Sequence, residues 1–157
     1  MAYAEYSDYT ALYGAEIKET DFSRYAWEAS RLMDTQTTGI DGYRKLREAF
    51  PTDDGDKECV KRCMCALAKL MADIAAEEER RNSASGTVTR EDGVTVGRVV
   101  TSVSSGSESI SYSTSGEATS ISAAVSDSAA RRELFCDTVH KYLAGIKDAA
   151  GVSLLYM

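Results

Sequence analysis

Apolar residues recur along this chain at two different periods. After Thr20, read as an N-cap with Asp21 in the first turn, Phe22, Tyr25, Ala26, Ala29, Leu32 and Met33 return at steps of three and four. The spacing predicts a helix from about residue 21 to 37, closed by Gly39. Tyr43 to Phe50 predicts a short helix halted by Pro51. The most regular stripe, Val60, Cys63, Met64, Leu67, Leu70, Met71 and Ile74, predicts a long helix from about Lys57 to Arg81, capped by Asp56. Its end, Glu77-Glu78-Glu79-Arg80-Arg81, reads as a solvated charge run that frays into Asn82 to Gly86. A last helix is expected from about Ser126 to Ala149, with Leu134, Phe135, Val139, Tyr142, Leu143 and Ile146 facing inward and Asp127 at its N-terminus.

Between the long helices the period changes to two. Val99 to Tyr112 alternates as a hairpin that pairs about Val94 to Ser104 with Glu108 to Ser113 across a Ser105-Gly106-Ser107 turn, and Thr87 to Arg90 reads as a weak strand before it. Val99, Thr101 and Val103 share one face, with Ile110 and Tyr112 opposite. Residues 101 to 128 hold fifteen Ser or Thr in twenty-eight positions, too little apolar surface for a core. An isolated ribbon is marginal in water, so this one is expected to lean on its own helices or on a neighbouring copy. Thr114 to Ala123 reads as a polar loop.

Both ends of the chain raise interface questions. Tyr3, Tyr6, Tyr9 and Tyr13, followed by Gly14, predict a short helix or an arm laid over the body. Trp27 falls off the stripe of its helix, so it is either covered by this chain or offered to another subunit. Leu154, Leu155, Tyr156 and Met157 form an apolar run beyond the last helix, which needs a groove on the same chain or a socket on another protein. The socket is the expectation.

Together these elements define a mainly α fold. It is a small bundle of three long helices and a short one, with an inserted β-hairpin arm and a C-terminal tail. One domain covers residues 1–157: a helical body at about 20–81 and 126–149, the arm and Ser/Thr-rich loop at about 87–125, and the tail at 150–157. A net charge of −7 lacks the basic footprint of a duplex-binding protein. No stretch of about eighteen apolar residues suggests a membrane span, and the N-terminus has no signal-peptide pattern.

Chemistry has few candidates. Cys59, Cys63, Cys65 and Cys136 are expected to be reduced thiols, because C-x3-C-x-C is not a structural zinc spacing and the lone histidine, His140, is remote. The turn Asp53-Asp54-Gly55-Asp56 lacks the ligand spacing and closing Glu of a calcium loop. His140 beside Val139 reads as a structural or solvent-edge residue. Neither phosphate-binding glycine motif occurs. The expectation is a non-enzyme with no cofactor and no metal.

Several segments resemble the head-to-tail connector (adaptor) proteins of tailed bacteriophages. They are Tyr13-Gly14-Ala15-Glu16-Ile17 through Phe22, Ala29 to Asp34 with Thr37-Thr38, the serine hairpin Thr101 to Ser113, Tyr142-Leu143-Ala144-Gly145, and Leu154 to Met157. Their order and spacing carry the resemblance more than any one of them. It implies a virion protein, made in the host bacterial cytoplasm, that forms a ring, typically of twelve subunits, below the portal protein. Such a ring extends the DNA channel without holding DNA and offers a platform to a head-closure (stopper) or tail protein. Leu154, Leu155, Tyr156 and Met157 would then contact the portal. Trp27, Val99, Thr101, Val103, Ile110 and Tyr112 would contact neighbouring subunits. The Ser/Thr-rich stretch after the hairpin departs from the family pattern. Alternatives are another neck component, a stopper or tail terminator, and a small helical nucleic-acid-binding protein.

Overall fold

The computed structural model describes residues 2–89, 95–104, 109–112 and 120–155 of the chain, and within them it is mainly helical. Six helices are present among the described residues: α1 (Tyr6–Tyr13), α2 (Glu19–Gln36), α3 (Lys45–Glu48), α4 (Asp54–Ala84), α5 (Ser120–Ser126) and α6 (Ser128–Leu143). The core is one cluster to which every helix except α5 contributes. Phe22, Ala26, Ala29 and Met33 from α2 meet Val60, Met64 and Leu67 from α4, and Val139 and Leu143 from α6. Burying this many aliphatic and aromatic side chains is the main source of stability, at ~1.5–3 kcal/mol for each large one.

Local chemistry explains where the helices begin and end, and it corrects several expected boundaries. Helix α2 starts two residues earlier than its sequence suggests: Lys18 is the N-cap residue, and its carbonyl accepts from the Asp21 and Phe22 amides at 3.0 and 2.8 Å. Thr20 is therefore inside the first turn. The cap of α4 is Asp53, whose carboxylate accepts from the Gly55 and Asp56 amides at 2.9 and 3.2 Å, and Asp56 is helical. The last helix starts where its sequence suggests, with the Asp127 side chain accepting from the Ala129 amide at the head of α6, but Ser120 to Ala123, expected to end a polar loop, belong to a further short helix, α5, which the extended backbone of Asp127 separates from α6. Helix α6 ends before Gly145, whose φ of +83° is left-handed, so the chain turns back there.

Helix α1 lies on the body through its aromatic rings. Tyr9 is fully buried and packs at 5.2 Å from Phe22, with Tyr6 and Tyr13 on either side. Lys61 ties it to α4 through Asp8 at 2.9 Å, and Lys69 holds Glu16, in the segment that follows α1, at 2.7 Å.

The segment between α4 and α5 contains three strands, β1 (Ser85–Thr89), β2 (Thr95–Ser104) and β3 (Ser109–Tyr112), in an antiparallel sheet of order β1-β2-β3. Residues 90–94, 105–108 and 113–119, among them Arg90 and the expected Ser105-Gly106-Ser107 turn, lie outside the described residues.

Candidate interaction surfaces

The outer face of α2 carries the aromatic that its stripe leaves out. Trp27 is 53% exposed, with the Arg31 guanidinium 4.9 Å above its ring. One turn earlier, the Arg24 guanidinium lies 4.7 Å from the Tyr25 ring and donates to its hydroxyl at 2.8 Å. Neither arginine makes an ion pair among the described residues. Beside this face α2, α4 and α6 enclose a groove of about 270 Å³, with Met71, Ile74, Ala75 and Phe135 as its apolar lining and Arg24, Glu28 and the Glu78–Arg131 pair at its edge.

The charged end of α4 is not the solvated run its sequence suggests. Arg81 pairs with Glu77 at 3.2 Å and reaches across to α5, where it donates to the Ser126 hydroxyl at 2.7 Å, the Ser122 carbonyl at 3.0 Å and the Ser122 hydroxyl. Arg131 of α6 pairs with Glu78 and donates to the Ala124 carbonyl at 2.8 Å. A guanidinium is suited to this because its planar fork satisfies several acceptors at once. The two arginines fasten together the helices from which residues 85–119 depart and to which they return.

Within the strands, the backbone pairs Val103 with Ile110 and Val100 with Tyr112. A register shift between Val100 and Ser102 leaves Thr101 as the extra residue of a bulge. Val99 pairs on the other side of β2, with Ser85. Strict alternation through Val99, Thr101 and Val103 is therefore broken at Thr101.

For Leu154 and Leu155 the structure shows the groove on the same chain in place of the expected socket on another protein. Leu154 and Leu155 are 0% and 5% exposed and belong to the chain's own core, while Tyr156 and Met157 lie outside the described residues. Residues 146–155 form a strap that doubles back after Gly145. The Leu154 amide donates to the Ile146 carbonyl at 2.9 Å, and the Ala149 amide donates to the Ala49 carbonyl at 3.0 Å. The Asp148 carboxylate accepts from the Ala150 and Val152 amides at 2.9 and 2.8 Å, and buried Lys45 donates from Nζ to the Ser153 carbonyl at 2.7 Å. The strap is thus held by Lys45 and Ala49, in and just after α3, and by Ile146 just beyond α6, partners that no local periodicity advertises.

The residues considered for chemistry are dispersed. Cys63 and Cys65 are fully buried, and burial pushes both thiols up to about 12. His140 is exposed, with Nδ1 2.9 Å from the Cys136 carbonyl oxygen. Among the described residues no three His, Cys, Asp or Glu side chains gather as a metal site, and no helix is long and apolar enough to cross a membrane. Lys45, Arg81 and Arg131 were not singled out by sequence, since a lysine before a leucine or an arginine in a charge run carries no sign of its distant partner. Compared with family models, characterised proteins and solved structures, the chain matches none.

Proposed function

We propose that this chain is a structural protein of a tailed-phage neck, a connector that forms a ring below the portal protein and extends the DNA channel from head to tail. The observation that supports the reading is the arrangement at the end of α4: Arg81 and Arg131 hold α4, α5 and α6 of a helical body together where residues 85–119 leave it and return. Such an insertion, poor in apolar residues, suits an arm laid against neighbours in a ring, where closure repeats each weak contact around the axis. Val99, Thr101, Val103, Ile110 and Tyr112 are its contact residues in this reading, and Trp27 is a second contact on the body. The net charge of −7 suits a conduit that must not hold DNA.

The C-terminal segment faces the portal protein in this reading. Because Leu154 and Leu155 are committed to the chain's own core, only Tyr156 and Met157 can engage it without first unseating the strap. A stopper or tail protein would dock on the opposite side of the ring.

Co-sedimentation with rings of the cognate portal tests the proposal, with electron microscopy of the pelleted complex. The expected result is a second ring stacked on the portal, lost on deletion of residues 156–157 and weakened by Trp27→Ala or Tyr112→Asp with little change in monomer melting temperature. A chain that binds tail-side proteins but ignores the portal would be a different neck component. Salt-dependent binding to DNA with no affinity for either would sink the structural reading altogether.

A further inference from the structure

The loop between α2 and α3 holds an isoleucine entirely in water. Ile40 is 98% exposed. A single exposed apolar side chain is ordinary on a protein surface, but this one sits on a fixed tip. Thr38 and Arg44 form an antiparallel bridge beneath it, and the Gly39 amide donates to the Tyr43 carbonyl at 2.8 Å. The Gly42 amide donates back to Gly39 at 2.9 Å with φ of +81°, and the Asp41 carboxylate accepts from the Tyr43 amide at 3.0 Å. An apolar knob already locked in one conformation loses little entropy when it docks.

We propose that this tip is one half of a contact between two copies of the chain, with Ile40 of one copy seated in the groove between α2, α4 and α6 of the next. The groove offers what the knob lacks: an apolar lining of Met71, Ile74, Ala75 and Phe135 at a volume suited to a short loop tip. One complementary charge pair is available as well: Asp41 follows the knob, and Arg24, which shares the groove edge with Glu28 and the Glu78–Arg131 pair, is laid on Tyr25 without a carboxylate partner among the described residues, with Arg31 and exposed Trp27 one to two turns further along α2. Tryptophan, tyrosine and arginine are the residue types that dominate binding energy at interfaces.

Knob and groove are different places on the same chain. Arg24 precedes the end of α2 by twelve residues, which is about 18 Å along the helix axis, and Ile40 lies beyond that end. A contact between unlike patches is heterologous, so each copy keeps a free knob and a free groove, and repetition yields a closed ring or an open filament. This deepens the connector proposal and rests on it for the expectation that repetition closes.

Sedimentation velocity on the full chain over a wide range of concentrations tests the contact. The wild type is expected to form species larger than a monomer. Ile40→Asp and Arg24→Glu, both at exposed positions, should each weaken association at least about tenfold while melting as the wild type does. Mixing these two variants should give a one-to-one dimer and nothing larger, since the pair retains one intact knob facing one intact groove. Combining Asp41→Arg with Arg24→Glu should restore assembly. A wild type that stays monomeric, variants that assemble as the wild type does, or a mixture that yields no dimer would overturn the contact. If the chain joins portal rings yet fails these tests, the contact is wrong and the connector reading stands. If it assembles through Ile40 yet ignores the portal, the reverse holds.

Discussion

Replacing Leu154 by alanine should destabilise the whole protein, although the residue lies in a strap beyond the last helix. Leu154 is fully buried among core side chains, and its neighbours are held by the Lys45 to Ser153 and Ala149 to Ala49 hydrogen bonds, so the site has little freedom to collapse around a smaller side chain. Buried leucine-to-alanine changes cost ~2.7–5 kcal/mol, so the loss should be at least about 3 kcal/mol. For a chain of this size each 1 kcal/mol moves the melting temperature by roughly 2–4 °C, which gives a fall of at least about 6–12 °C. Val152→Ala is the internal control: Val152 is 51% exposed on the same strap and should cost less than about 0.5 kcal/mol. Circular dichroism melts of the three proteins, with hydrogen exchange of residues 146–155, make the comparison. Equal and small losses for the two variants would mean that the strap is loosely held in solution and that the tail is free after all.

Two further outcomes follow from titratable groups. The Asp8 carboxyl is held below its ordinary value of 3.8, first by the Glu5 amide that donates to it and then by Lys61. A depressed carboxylate stabilises the fold above its unfolded pKa and loses that contribution as pH falls through the folded value. The melting-temperature gap between wild type and Asp8→Asn should therefore be full at neutral pH and close below about pH 4; a gap that persists under more acidic conditions would contradict the assignment. Among the thiols, native alkylation at mildly alkaline pH followed by peptide mass mapping should label half-buried Cys59 and Cys136, and leave Cys63 and Cys65 unmodified until the protein is unfolded. Equal labelling of all four would mean that α4 opens readily.

Sequence periodicity located the body because its information is local. The stripes through Phe22 to Met33 and Val60 to Ile74 needed only their own spacing to be read, and Trp27 stood out for the same reason. Features made by distant partners were illegible. Arg81 looked solvated until Ser122 and Ser126, forty-one and forty-five residues further on, were seen to accept its donors. Helix α5 has no such local signature, because Ser120 to Ser126 is a short stretch of small and polar residues that reads as the end of the loop before it. The sequence leaves Leu154 and Leu155 open to a socket on another protein, because the lysine that anchors their strap is 108 residues away from Ser153. The knob at Ile40 has no sequence signature for a related reason: exposure is a property of the folded surface, and a lone isoleucine in a loop has no period.

The arginine clamp at the foot of residues 85–119 also bears on how this chain can change over generations. With departure and return points pinned together by the body itself, the intervening chain is thermodynamically a loop whose closure cost grows only with the logarithm of its length. Doubling it adds about 0.6 kcal/mol. The helices therefore exert almost no restraint on what lies beyond Ala84 and before Ser120, provided that Arg81 and Arg131 keep their acceptors. That stretch can be lengthened, shortened or exchanged for another as a cassette, while the body that carries it folds unchanged.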